Sequence, residues 1–272
     1  MGVVGHLSRD IVLDGVSVVP SAGERMSTNT DATHFSSCYG QLILQNCVFD
    51  GHGDDAVNVH NYEHAFALVG GNRYRLACLA ADGTHTQAVD LPSVGDEMQL
   101  IAHGTLEKGE KFVVIAAQAN ADGTCDVTFD RPLPVGSEGK YYLENATACP
   151  EFVFSHCRTR NHFARSVLIK TRRATVEKNI FEHSDLTAVV VAAEENWERE
   201  HPRNMWKFAI MSFLHAERAE MSRVPWQYIR VLARKQANNI KKSLSKRTSF
   251  SVPRGRARLL LPMGRKSLPK II

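Results

Sequence analysis

A chain of 272 residues, 43% of them hydrophobic, can bury one large core or two small ones, so an intrinsically disordered polypeptide is excluded for most of its length. No run approaches the roughly 18 apolar residues of a membrane-spanning helix, and the first ten residues lack the apolar stretch of a signal peptide, so neither a membrane nor an export address is expected from this sequence. The net charge of +4 hides a division: residues 1–202 carry 16 Lys+Arg against 27 Asp+Glu, and residues 203–272 carry 17 against 2, a contrast that predicts two different units.

In chain order, 1–60 reads as β-strands in a repeated template. Ile11-Val-Leu-Asp-Gly-Val-Ser-Val-Val and Leu42-Ile-Leu-Gln-Asn-Cys-Val-Phe each place alternating apolar residues before a polar pair and then return to apolar. The template recurs within 151–202 as Phe152-Val-Phe-Ser-His-Cys-Arg and Ala174-Thr-Val-Glu-Lys-Asn-Ile-Phe. Aligned on it, Val16 matches Cys47 and Cys157 matches Asn179, steps of 31 and 22 residues. Steps of that size with strand-like alternation predict a parallel β-helix, in which each coil buries its apolar face against its neighbours. The alternative, a β-sandwich, calls for hairpin turns every eight to twelve residues or so.

Such turns occur only in 61–150. Ala-Asp-Gly-Thr appears at 81–84 and again at 121–124, beside alternating runs such as Lys111-Phe-Val-Val-Ile-Ala and Cys125-Asp-Val-Thr-Phe. Asp-Gly flanked by alternation is a strong hairpin signal, so this stretch is expected to be a small antiparallel barrel inserted between coils. Six cysteines, with no CxxC pair or zinc-ligand spacing, read as mostly buried thiols. No metal or organic cofactor is expected.

Beyond Pro202 the template stops, and the basic stretch 203–272 is expected to be irregular or poorly folded. A nucleic-acid arm is one reading of its Lys and Arg residues, though not the one adopted. The other is a slipped reading frame: back-translation of the run starting at Asn204, read from the third base of that codon, permits Tyr-Val-Glu-Ile-Arg-Asp-Asn-Val-Phe, the coil template again. On that reading 203–272 is an out-of-frame product.

Two segments carry chemistry. Ser27-Thr-Asn-Thr-Asp31-Ala-Thr-His34-Phe and Gly51-His-Gly-Asp54-Asp55-Ala-Val-Asn58-Val-His60 set acids 23 residues apart, about one coil, and so side by side on strands about 4.8 Å apart. Hydrolysis of a glycoside with inversion uses two carboxyl groups roughly 6.5–9.5 Å apart with a water between, a range that lateral offset can reach. Clustered carboxylates also push their pKa values apart, which keeps one protonated as the acid. Taken singly, each aspartate is better explained as satisfying backbone amides at a turn, whereas the two segments in register favour chemistry. Among the remaining candidates, Asn58 and His60 share a strand face and either bind a sugar or stack structurally. Arg165 and Lys170 flank an apolar strand and either contact sugar hydroxyls or remain solvated. Trp197 either stacks on a pyranose or packs at an edge, and His34 reads as a core histidine.

These residues carry a resemblance. Asp31-Ala-Thr-His34-Phe, Asn46-Cys47-Val-Phe and Gly53-Asp54-Asp55-Ala-Val-Asn58-Val-His60 are similar to the inverting α-1,3-galactosidases of glycoside hydrolase family 110. So are Ala164-Arg165-Ser-Val-Leu-Ile-Lys170-Thr171, Val176-Glu-Lys-Asn-Ile-Phe and Asn196-Trp197-Glu, over roughly 8–202 in all. The resemblance implies a right-handed parallel β-helix and removal of terminal α-1,3-linked galactose from a glycan with inversion. It matches Asp31, Asp54 and Asp55 to the family's essential aspartates, with Asp54 and Asp55 activating water and Asp31 protonating the leaving oxygen. It also implies a periplasmic or extracellular setting and a homodimer for intact members, which have further coils on both sides; this chain is therefore expected to be a fragment truncated at both ends. Two other functions fit the motifs. Asn29-Thr-Asp31, Gly53-Asp54-Asp55 and Leu168-Ile-Lys170 echo polygalacturonases, although Gly51-His52-Gly53 precedes the paired acids instead of following them, and a non-catalytic glycan-binding β-helix needs none of the acids.

Overall fold

A computed structural model of the chain describes residues 1–77 and 90–191 with their side chains, and Cys78 and 206–214 by their backbone. Its elements are strands. Five of them, β1 (Val3–His6), β4 (Thr33–Ser36), β7 (Val57–His60), β16 (Val167–Ile169) and β18 (Val189–Val191), pair in that order in a parallel sheet. A second parallel sheet runs β2 (Arg9–Asp14), β5 (Tyr39–Gln45), β14 (Glu151–Ser155), β17 (Arg173–Ser184), β15 (Arg158–His162), β6 (Val48–Asp50) and β3 (Ser17–Val18). Within 61–150, β8 (Glu63–Gly70), β9 (Arg73–Cys78), β10 (Glu97–Ala102), β11 (Lys108–Ala119), β12 (Cys125–Phe129) and β13 (Tyr141–Asn145) close an antiparallel barrel in the order β10-β11-β12-β9-β8-β13.

This topology corrects the expected parallel β-helix solenoid while keeping the all-β class. In the second sheet the order does not advance from turn to turn: it goes out from β2, reverses at β17 and returns to β3, so both edges come from the first eighteen residues. The cause is one strand. Gly15, Asn46, His156 and Lys178 occupy one row of the pairing and all adopt left-handed backbone, with φ of 68°, 56°, 54° and 55°. At the first three the chain bends and its strand breaks. At Lys178 it bends within the ladder, so the 12-residue β17 pairs with β14 before the corner and with β15 after it, and merges two faces into one sheet.

In the tail only 206–214 are described, and these nine residues are regular. β19 (Trp206–Leu214) lies parallel to β17, in register from Ala174↔Trp206 to Glu182↔Leu214, where 203–272 was expected to be irregular or poorly folded. An open strand edge offers a row of backbone donors and acceptors, which a passing segment can pair with whatever its composition. Residues 215–272 lie outside the described part.

Between the parallel sheets the template residues stack in rows. Leu42 faces Phe152 and Leu44 faces Phe154, which in turn faces Val176, all completely buried. Phe154 also stacks on Phe49 and on Phe181, each at 6.3 Å between ring centroids. Because Phe154 touches its neighbours on both sides, Phe154→Ala is expected to lower the unfolding free energy by about 3–5 kcal/mol, read by chemical denaturation. Asn179 closes the same core polar-side: its side-chain oxygen accepts the Cys157 amide and its nitrogen donates to the Phe154 carbonyl, each at 2.8 Å. Of the described cysteines, Cys38, Cys47, Cys125 and Cys157 are buried thiols and Cys149 is half-buried.

The barrel has its own core, built on Tyr74, Leu76, Met98, Phe112, Val127 and Phe129. It is bolted to the parallel sheets by buried polar contacts. Tyr39 donates to Asp96 at 2.8 Å, Asn61 donates to the Asn145 carbonyl at 2.7 Å, and the Arg172 guanidinium reaches both Glu144 and Gln99. No helix in the described residues is long and apolar enough to cross a membrane.

Candidate active site

The acids are gathered by two segments that run side by side. The Ser27 amide donates to the Gly51 carbonyl at 2.7 Å and the Gly53 amide to the Thr28 carbonyl at 2.9 Å, with Thr28 bridging His52. The approach is close enough that a β-carbon on Gly53 would meet the Asn29 carbonyl oxygen at 2.6 Å, so only glycine fits there. His52, fully buried, accepts no side-chain partner from this pair; its Nδ1 donates to the carbonyl oxygen of Asp54 at 2.7 Å and pins the loop that presents the acid.

Strands β4 and β7 then set the register. Thr33 faces Val57, a step of 24 residues, so Asp31 stands beside Asp55 and not beside Asp54, as the 23-residue sequence step suggested. The Asp55 amide donates to Oδ1 of Asp31 at 3.2 Å. One oxygen from each of Asp31, Asp54 and Asp55 lies within 4.8 Å of one from each of the others, with Asp31 and Asp55 buried and Asp54 exposed. Two carboxylate oxygens that far apart can share one water, since hydrogen bonds of about 2.7 Å at a tetrahedral or slightly wider angle span about that distance.

Arg165 decides the electrostatics. It arrives from beyond the barrel, and its amide and Nε donate to Oδ1 of Asp55 at 3.0 and 2.8 Å while a terminal nitrogen reaches Oδ2 at 2.9 Å. Burial pushes the Asp55 carboxyl up to about 6, with the Arg165 guanidinium pulling it down against the effect of Asp31 and Asp54. Arg165 thus engages both oxygens of Asp55.

The remaining candidates fall out unequally. Asn58 lies on β7 with its nitrogen 3.5 Å from Oδ2 of Asp31 and its side-chain oxygen buried without a partner. His60, two residues on, has its Nε2 2.8 Å from Nε2 of His34. Lys170 is completely buried just after β16, where its amide donates to the Val59 carbonyl and it stands in register with His60; it is not a solvated turn charge. Trp197 lies outside the described residues. His34, read from the sequence as a core histidine, is buried, and its Nδ1 also sits 2.5 Å from Oδ2 of Asp31; the signal for that contact was a histidine three residues after a candidate acid, which a strand end brings back onto it.

No family model matches the chain. Among curated proteins it is 32% identical over 211 residues to an α-1,3-galactosidase B of Parabacteroides distasonis, covering 72% of this chain and 34% of that protein. It is 33% identical over 189 residues to an α-1,3-galactosidase B of Akkermansia muciniphila, covering 67% and 23%, and 27% identical over 210 residues to an α-1,3-galactosidase A of Bacteroides fragilis, covering 74% and 34%. The chain thus spans about a third of the length of the Parabacteroides and Bacteroides relatives and less of the Akkermansia one. The chain that gathers Asp31, Asp54, Asp55 and Arg165 is thus similar, over about two thirds to three quarters of its length, to the α-1,3-galactosidases of glycoside hydrolase family 110.

Proposed function

We propose that this chain carries the catalytic centre of a glycoside hydrolase that removes terminal α-1,3-linked galactose from a glycan with inversion. The observation that supports it most is the gathering of three carboxylates, one of them open to solvent, at the spacing of a shared water. Asp54 and Asp55 hold and deprotonate that water, and Asp31 protonates the leaving oxygen. One oxygen of Asp31 lies within 4.8 Å of one from Asp54 and one from Asp55, closer than the roughly 6.5–9.5 Å of an inverting pair, so inversion is carried by the family resemblance and not by this spacing.

The test is release of galactose from an α-1,3-galactosyl disaccharide, followed by NMR. β-Galactose as the first product supports inversion, α-galactose replaces it with retention, and cleavage of polygalacturonate alone replaces the substrate. Activity is expected to depend on pH through Asp55. A base with its pKa near 6 is progressively protonated below that value, so kcat/KM falls about tenfold per pH unit there. The same group acts on stability in the opposite sense: its folded pKa lies above the ordinary 3.8, so its favourable contribution is complete below that value and is lost as pH rises through about 6. A pH series of kcat/KM beside a pH series of denaturation midpoints separates the two.

A further inference from the structure

Three side-chain contacts run in a line away from Asp31. Its Oδ2 lies 2.5 Å from Nδ1 of His34, Nε2 of His34 lies 2.8 Å from Nε2 of His60, and Nδ1 of His60 lies 3.3 Å from the carbonyl oxygen of Asn61. Each contact needs one proton between its heavy atoms, because facing lone pairs at that distance repel. The Asn61 carbonyl can only accept. Two neutral imidazoles bring two protons and an ionised carboxylate brings none, so the line as built holds one proton more than that inventory, whichever tautomers are drawn.

The surroundings favour one end for it. Asp31, His34 and His60 are all buried, and Tyr62 braces the His60 ring edge-on at 4.7 Å. At the Asp31 end stand Asp54 and Asp55, with the Asp55 amide on Oδ1 and the Asn58 nitrogen near Oδ2. At the His60 end Lys170 occupies the neighbouring position in register. With Asp55 already paired to Arg165, the exposed carboxylate of Asp54 draws the additional proton toward the Asp31–His34 contact.

We propose that Asp31, His34 and His60 form a proton relay that keeps Asp31 loaded as the acid, with His34 and His60 as positioning residues. This rests on the glycosidase reading above. In the step, the proton shared by Asp31 and His34 passes to the glycosidic oxygen as its bond to the anomeric carbon breaks, and the bonding pair stays on that oxygen. The water oxygen bonds to the anomeric carbon and its proton passes to the Asp54/Asp55 pair. Asp54, at the surface, releases that proton to solvent, and the Asp31–His34 contact takes one back once the products leave.

Two measurements on the full chain test it. Heteronuclear NMR of the imidazole nitrogens should show His34 protonated at Nε2 and sharing a low-field proton at Nδ1; a bare Nδ1 on His34 with no shared proton overturns the relay. The second uses His34→Gln, which keeps a donor and an acceptor but cannot carry the additional proton. Its kcat should fall roughly a hundredfold on an α-1,3-galactosyl disaccharide, in the range of a lost general acid, with KM little changed. On para-nitrophenyl α-galactoside, whose leaving group needs no proton, kcat should change far less. Equal slowing on both substrates overturns the relay. If the unaltered chain cleaves neither sugar, the glycosidase reading falls, and the NMR result still decides where the proton is.

Discussion

Asp54→Asn is expected to lower kcat/KM on an α-1,3-galactosyl disaccharide by about 10²–10⁴-fold while leaving the unfolding free energy within about 0.5 kcal/mol of the parent. The reason lies in the difference between Asp54 and its neighbour. Asp54 is exposed, and its loop is held through its carbonyl oxygen by His52, so exchanging the carboxylate for an amide leaves that main-chain contact intact. What disappears is the charge that accepts a proton from the water. Asparagine is nearly the same size and still binds a water molecule, but it does not deprotonate one. Unchanged hydrolysis in this variant would remove Asp54 from the mechanism; a large drop in stability would show that its carboxylate was needed for folding.

Arg165→Met should do the reverse and damage the fold first. Asp55 is completely buried, and Arg165 supplies three of its hydrogen bonds. The amide bond survives the substitution, whereas both guanidinium contacts go. Removing one member of a buried ion pair strands the other in low dielectric and costs about 3–5 kcal/mol. Burial already raises Asp55, so without the opposing cation it should become neutral at working pH and activity should be lost with the stability. The double variant Arg165→Met/Asp55→Asn separates the two losses: with no charge left to strand, the midpoint should recover most of its fall while hydrolysis stays absent. A double variant as unstable as the single one would show that Arg165 matters by packing alone.

Local pattern carried a good part of this protein. The alternation that makes strands, the steps of 31 and 22 residues between Val16 and Cys47 and between Cys157 and Asn179, and the Asp122-Gly123 turn between β11 and β12 all reappear as observed pairings. Each depends on neighbours in sequence, on a side-chain period of two or on the left-handed backbone that glycine tolerates, and such preferences are written residue by residue. The acids were legible for the same reason, since two Asp-containing segments about one step apart must lie together if their strands pair.

Long-range register and burial were not. Nothing near Lys178 in the sequence announces that the chain bends there without breaking its ladder, and that single event turns the expected solenoid into a sheet that doubles back. A step of 24 in place of 23 moves the partner of Asp31 from Asp54 to Asp55. Arg165 comes to Asp55 only after the chain has left to build the barrel and returned, 110 residues later, and Lys170 became buried through what packs over it. Composition and spacing decided which residue types stand where along each strand, because those preferences act over a few bonds. Which charges lost their water, and which partner then compensated each of them, was decided by tertiary structure alone, because desolvation depends on everything that covers a group.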